Sequence, residues 1–175
     1  MAEIKSTLDL VMERTRHLSM SPEEQAAQRA HDFEKRLQGL LQKYSDDAVS
    51  FDEFREKLAA LQNDQQVDGC QALLEALGSW IDPAGDNARW LRIVEFLNPP
   101  ALAGLKAVLA AYREKRDVLL EETGRKRLDD LFNGQGIRGS AVVPNPAADN
   151  AYRDSLAALT RETLRGMEKA LQGTG

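Results

Sequence analysis

Apolar residues recur along this chain in alternating steps of three and four. Ile4, Leu8, Val11, Thr15 and Leu18 open the pattern. Ala26, Ala30, Phe33, Leu37, Leu40 and Tyr44 repeat it, and Phe51, Phe54, Leu58 and Leu61 carry it on. Only an α-helix gathers such positions onto one face, so the sequence predicts an all-α bundle of seven or eight amphipathic helices.

The punctuation between stripes sets the expected boundaries. A first helix runs from about Glu3 to Leu18 and stops before Pro22. Ser21-Pro22-Glu23-Glu24 is a capping box with proline in the first turn, and it opens a second helix to about Tyr44. Ser50-Phe51-Asp52-Glu53 is another box and starts a third helix reaching about Gln62. Val67, Cys70, Leu74, Leu77 and Ile81 suggest a fourth, closed by Gly78 or Asp82-Pro83. Trp90, Val94 and Leu97 mark a fifth, from Asn87 to Leu97. A sixth, from Pro99 to about Glu122, turns Leu102, Leu105, Leu109 and Tyr112 inward. Arg116 interrupts its stripe, and Gly124 is expected to break or kink it before Leu128, Leu131 and Phe132. A last helix begins near Asn150 and carries Tyr152, Leu156, Leu159, Leu164, Met167 and Leu171.

The segment 133–149, NGQGIRGSAVVPNPAAD, breaks the periodicity with three glycines and two prolines. A long Gly/Pro-rich loop inside a small domain is usually functional or disordered. The expected organisation is a single helical domain over residues 1–175. Residues 1–44 form a helical hairpin or coiled-coil extension in that reading, a contact that would make a homo-oligomer.

Composition narrows the classes of activity. Hydrophobic residues are 42%, charged residues 29% and aromatics 6%, which suits a Leu/Ala core and a solvated exterior. The net charge of −5 opposes a general nucleic-acid binder. Charge is uneven: residues 1–100 hold 11 basic and 18 acidic side chains, residues 101–175 hold 12 and 10. The single cysteine, Cys70, leaves no internal disulfide or multi-cysteine zinc site. It shares the apolar phase of Leu74 and Leu77 and is expected to be buried. MAEIKSTLDL lacks an apolar signal region, and no run approaches membrane-spanning length, so a cytoplasmic protein without membrane contact is expected.

No motif names a reaction. Gly134-Gln135-Gly136-Ile137-Arg138-Gly139 fits the dinucleotide fingerprint in letters only, because a helical segment enters it and no helix leaves it. A helix C-cap and loop is the expected structure there. Residues 46–54 resemble the second half of a calcium loop, with Glu53 in the bidentate place. The leading carboxylates and the glycine are missing, and the capping box accounts for Ser50 and Glu53. His17 and His31 fall on separate helices, and Asp46-Asp47 and Asp129-Asp130 point apart, so neither a metal site nor an acid–base pair is expected. Arg125-Lys126-Arg127 is interleaved with acids, Glu121–Arg125 and Glu122–Lys126 being candidate pairs. Trp80 and Trp90 flank one turn and should pack together. No catalytic residue and no cofactor is expected.

MAEIKSTLDLVMERT and GIRGSAVVPNP resemble an uncharacterised bacterial family of short helical proteins, a domain of unknown function. The resemblance implies that these two segments matter and carries no activity. A long helix, small bundle and Gly-rich segment also resemble nucleotide-exchange cochaperones, from which this chain departs by adding a helix after that segment.

The expected role is therefore protein interaction or scaffolding, with a protein partner or a second copy docking on helix faces and on the loop. Its contact residues are Ile137, Arg138, Ser140, Val142, Val143 and Asn145. The alternative is a ligand-sensing or enzymatic helical domain whose anion site lies near Arg138, Asn145 and Arg125–Arg127.

Overall fold

Both capping boxes form. A computed structural model describes residues 21–65, 69–137, 139 and 142–173. The Ser21 hydroxyl accepts the Glu24 N–H at 3.2 Å, and the Glu24 carboxylate accepts the Ser21 N–H at 2.8 Å. That reciprocal pair, with Pro22 in the first turn, launches α1 (Pro22–Ser45). At Ser50 the N–H and hydroxyl both donate to Glu53 Oε2, at 2.8 and 2.9 Å, and Ser50 Oγ accepts the Glu53 N–H at 3.3 Å. α2 (Phe51–Gln65) follows. The remaining helices are α3 (Cys70–Leu77), α4 (Ala88–Leu97), α5 (Pro99–Gln135) and α6 (Asn150–Leu171).

The protein is all-α, with six α-helices among the described residues against the seven or eight expected. The expected helix over Glu3–Leu18 lies outside the described residues. The expected break at Gly124 is absent: α5 runs through it as one helix to Gln135, so residues 133–135 of the expected loop are helical. Among its described residues, the rest of that loop holds one short 3-10 turn, Pro146–Ala148.

The chain divides into two compact units between Leu73 and Leu74, inside α3. In the first unit α1 and α2 form a hairpin. α1 buries Phe33, Leu37, Leu40, Leu41 and Tyr44, and α2 buries Phe54, Leu58 and Leu61. The Tyr44 and Phe54 rings meet at 5.1 Å between centroids. Val49 and Phe54, both buried, occupy the positions of a hydrophobic staple around the Ser50 cap. α1 closes with Asp47 in the left-handed region (φ 58°), where the Ala48 N–H reaches Lys43 O at 2.9 Å. Arg36 and Asp64 pair at 2.7 Å between the helices, largely in solvent, where such a pair contributes little.

Gly69 lies against the Phe33 ring, and a Cβ there would stand 2.7 and 2.9 Å from Phe33 Cε1 and Cε2. Cys70, expected in the core, is exposed. α3 begins at Cys70, three residues later than the apolar phase suggests, and its burial falls on Leu73, Leu74 and Leu77.

In the second unit a turn held by Asn87 leads into α4. Asn87 is 2% exposed; its Oδ1 accepts the Asp82 N–H at 3.1 Å and its Nδ2 donates to Asp82 O at 2.6 Å. The Trp80 and Trp90 rings pack at 5.1 Å, as the sequence leads one to expect. Asn98 caps α5 by accepting the Ala101 N–H at 3.3 Å. α5 and α6 then run antiparallel. A Cβ at Gly104 would touch Ala170 at 3.6 Å, and one at Gly166 would meet Val108 at 3.3 Å, so small residues let the helices approach closely. Lower down, Tyr112 and Thr160 hydroxyls lie 3.5 Å apart and Lys115 pairs with Glu162 at 3.3 Å.

Candidate interaction site

In the second unit the antiparallel helices α5 and α6 are unequal in length, and that inequality builds the site. α6 starts opposite Arg127. Asp149 caps it by accepting the Ala151 N–H at 2.8 Å through Oδ1, and its Oδ2 faces Arg127 Nε at 3.3 Å. Arg127 Nε is shut off from solvent and makes no hydrogen bond, so the contact is an ion pair. One turn earlier, Pro144 of the returning chain sits 3.7 Å from where a Cβ on Gly124 would be. Gly124 is therefore a place where the loop approaches the helix.

Beyond Arg127 no turn of α6 lies opposite α5. The last two turns of α5 carry Leu128 and Phe132, 39% and 46% exposed, with Leu131 half-buried beside them. The helix ends at Gly136 in the left-handed conformation (φ 65°), which any other residue adopts only at a cost. The Ile137 N–H reaches back to Leu131 O at 3.1 Å, and this sets Ile137, 44% exposed, next to the same end of the helix. Val143 follows in the loop and is the most open large apolar residue among the described residues, at 85%.

The six sequence-derived contact residues separate. Ile137 and Val143 are open to solvent. Val142 is half-buried, its N–H donating to Gly139 O at 3.3 Å. Asn145 works on the backbone: its side chain accepts the Ala147 N–H at 3.2 Å and caps the 3-10 turn. Arg138 and Ser140 lie outside the described residues. Arg116, where the apolar stripe is interrupted, hints that the second half of this helix leaves the core, and Leu128 and Phe132 are exposed there. The signal that exposes them is length, since the α5 stripe outlasts its partner helix by two turns.

The basic residues do not converge. Arg125 pairs with Glu121 at 2.9 Å, as expected, and Arg127 faces Asp149; Glu122 and Lys126 form no pair among the described residues. Arg116 hydrogen-bonds Asp117 at 2.7 Å, which holds its guanidinium still more firmly protonated. Arg113 donates to Gly85 O at 3.5 Å. Glu53, the one plausible calcium ligand, is turned into its own helix cap. Among the described residues no three His, Cys, Asp or Glu side chains gather into a metal site, and no helix is long and apolar enough to cross a membrane. Comparison with known proteins finds no matching family model, curated protein or solved structure.

Proposed function

We propose that this chain is a cytoplasmic interaction or scaffold protein, and that it grips a protein surface with the far end of α5 and the loop that follows. The supporting observation is Leu128, Phe132 and Ile137, three large apolar side chains open to solvent along the last turns of α5 and just past its end, with Val143 also open in the loop that follows. Single exposed apolar residues are ordinary, but a contiguous group marks a contact surface. The anion-site alternative draws no support from the basic residues described, because they do not converge on one point: Arg125 faces Glu121 and Arg127 faces Asp149.

The test replaces Phe132 and Ile137 together by serine and compares proteins captured from native lysate with those held by the unaltered chain. Both side chains are exposed, so far-UV helicity and thermal midpoint should hold while specific capture falls. An unchanged set of captured proteins, with the helices intact, would overturn this reading.

A further inference from the structure

Arg125, Leu128, Asp129 and Phe132 stand at i, i+3, i+4 and i+7 on α5, so they form one stripe. Charge along it is ordered. A guanidinium precedes Leu128 and a carboxylate follows it, with apolar side chains at the centre and the far end. Arg125 is held 2.9 Å from Glu121 in solvent and can still serve a second acceptor. Asp129 is exposed and has no ion pair among the described residues.

We infer that this stripe docks on the same stripe of a second copy of the chain, the two helices antiparallel about a twofold axis close to Leu128. The inference rests on the interaction reading above and supplies its partner. An isologous contact requires a patch that complements itself under a twofold rotation. Reversing the helix reverses the charge order, so Arg125 of each copy comes opposite Asp129 of the other while Leu128 meets Leu128. A parallel copy would set guanidinium on guanidinium and carboxylate on carboxylate. Ile137 and Phe132 lie toward the rim, where burial adds apolar area without changing the register. The stripe spans two turns of one helix, which predicts a weak dimer of the kind found at interfaces under about 1,200 Å².

Sedimentation equilibrium of the full chain, across about three decades of concentration, reads this directly. The unaltered protein should pass from one chain toward two. Arg125→Glu alone leaves an all-acidic stripe and Asp129→Arg alone an all-basic one. Each should weaken self-association about tenfold or more, and mixing the two should restore a one-to-one dimer. The chain carrying both substitutions should dimerise again. A protein that stays single at every concentration overturns the inference, as does a dimer indifferent to both substitutions or one the mixture fails to restore. If the chain stays single while Phe132→Ser/Ile137→Ser still abolishes capture from lysate, the dimer falls and the interaction reading stands. If the dimer behaves as described while capture is unchanged, the surface serves self-association alone.

Discussion

Adding one methyl group at Gly69 should loosen the first unit. The alanine Cβ would stand 2.7 and 2.9 Å from Phe33 Cε1 and Cε2, and closer still to Cζ. Favourable carbon contacts lie at about 3.5–4.0 Å. Phe33 is 1% exposed, so its ring has no solvent to swing into. Overpacking of this kind costs about 1–3 kcal/mol. The lower entropy of the unfolded alanine chain offsets roughly 0.4–1 kcal/mol of that. A net loss of about 1–2 kcal/mol is expected. Phe33→Leu removes the ring and leaves a void, which should cost about 1–2 kcal/mol by itself. In the double variant the new methyl group occupies part of that void, so the combined loss should fall short of the sum by about 1 kcal/mol. Hydrogen exchange of the α1 amides from Leu37 to Tyr44 measures all four proteins of the cycle. A neutral or stabilising Gly69→Ala, or strictly additive losses, would refute the reasoning.

Three further outcomes follow from single contacts. Hydrogen bonds from the Ser50 N–H and the Ser50 hydroxyl, with Lys57 nearby, hold the Glu53 carboxyl below its ordinary value of 4.5. A carboxyl depressed in the folded state contributes above its unfolded pKa and loses that contribution as pH falls through the folded one. Glu53→Gln should therefore flatten the fall in urea midpoint below pH 4.5, and an unchanged slope would exclude it. Asn87→Ala strips both backbone partners from Asp82 and should cost about 2–3 kcal/mol. Urea unfolding followed by Trp80 and Trp90 emission would show it, and a shift under about 0.5 kcal/mol would contradict it. Asp47→Gly should stabilise by about 0.5–1 kcal/mol, since glycine takes the left-handed position without a Cβ penalty; a lower thermal midpoint would count against it.

Local chemistry was the legible part of this fold. The Ser21 and Ser50 boxes, Pro22 and the Trp80–Trp90 contact all depend on residues close in sequence, and each forms as read. Three features were not legible, two of them because they depend on distant partners. Gly124 looks like a helix breaker, yet it remains helical where Pro144 of the returning chain packs against it. Gly69 gives no sign in the sequence that the Phe33 ring, far earlier in the chain, will lie on it. Cys70 shares an apolar phase but opens α3, so its side chain stays outside. The candidate site was half legible for the same reason. Composition marks the stretch holding Ile137 and Val143 as unusual, whereas the exposure of Leu128 and Phe132 depends on where α6 begins.

Photocrosslinking from position 143 tests the central claim most directly. Val143 is 85% exposed, so a benzophenone side chain placed there reaches whatever covers the loop after α5. The same label at Glu34, exposed on α1, serves as the comparison. Discrete protein adducts from position 143 that vanish in the Phe132→Ser/Ile137→Ser background, and do not arise from position 34, are the predicted result. No adduct from position 143, or the same adducts from both positions, would contradict the account.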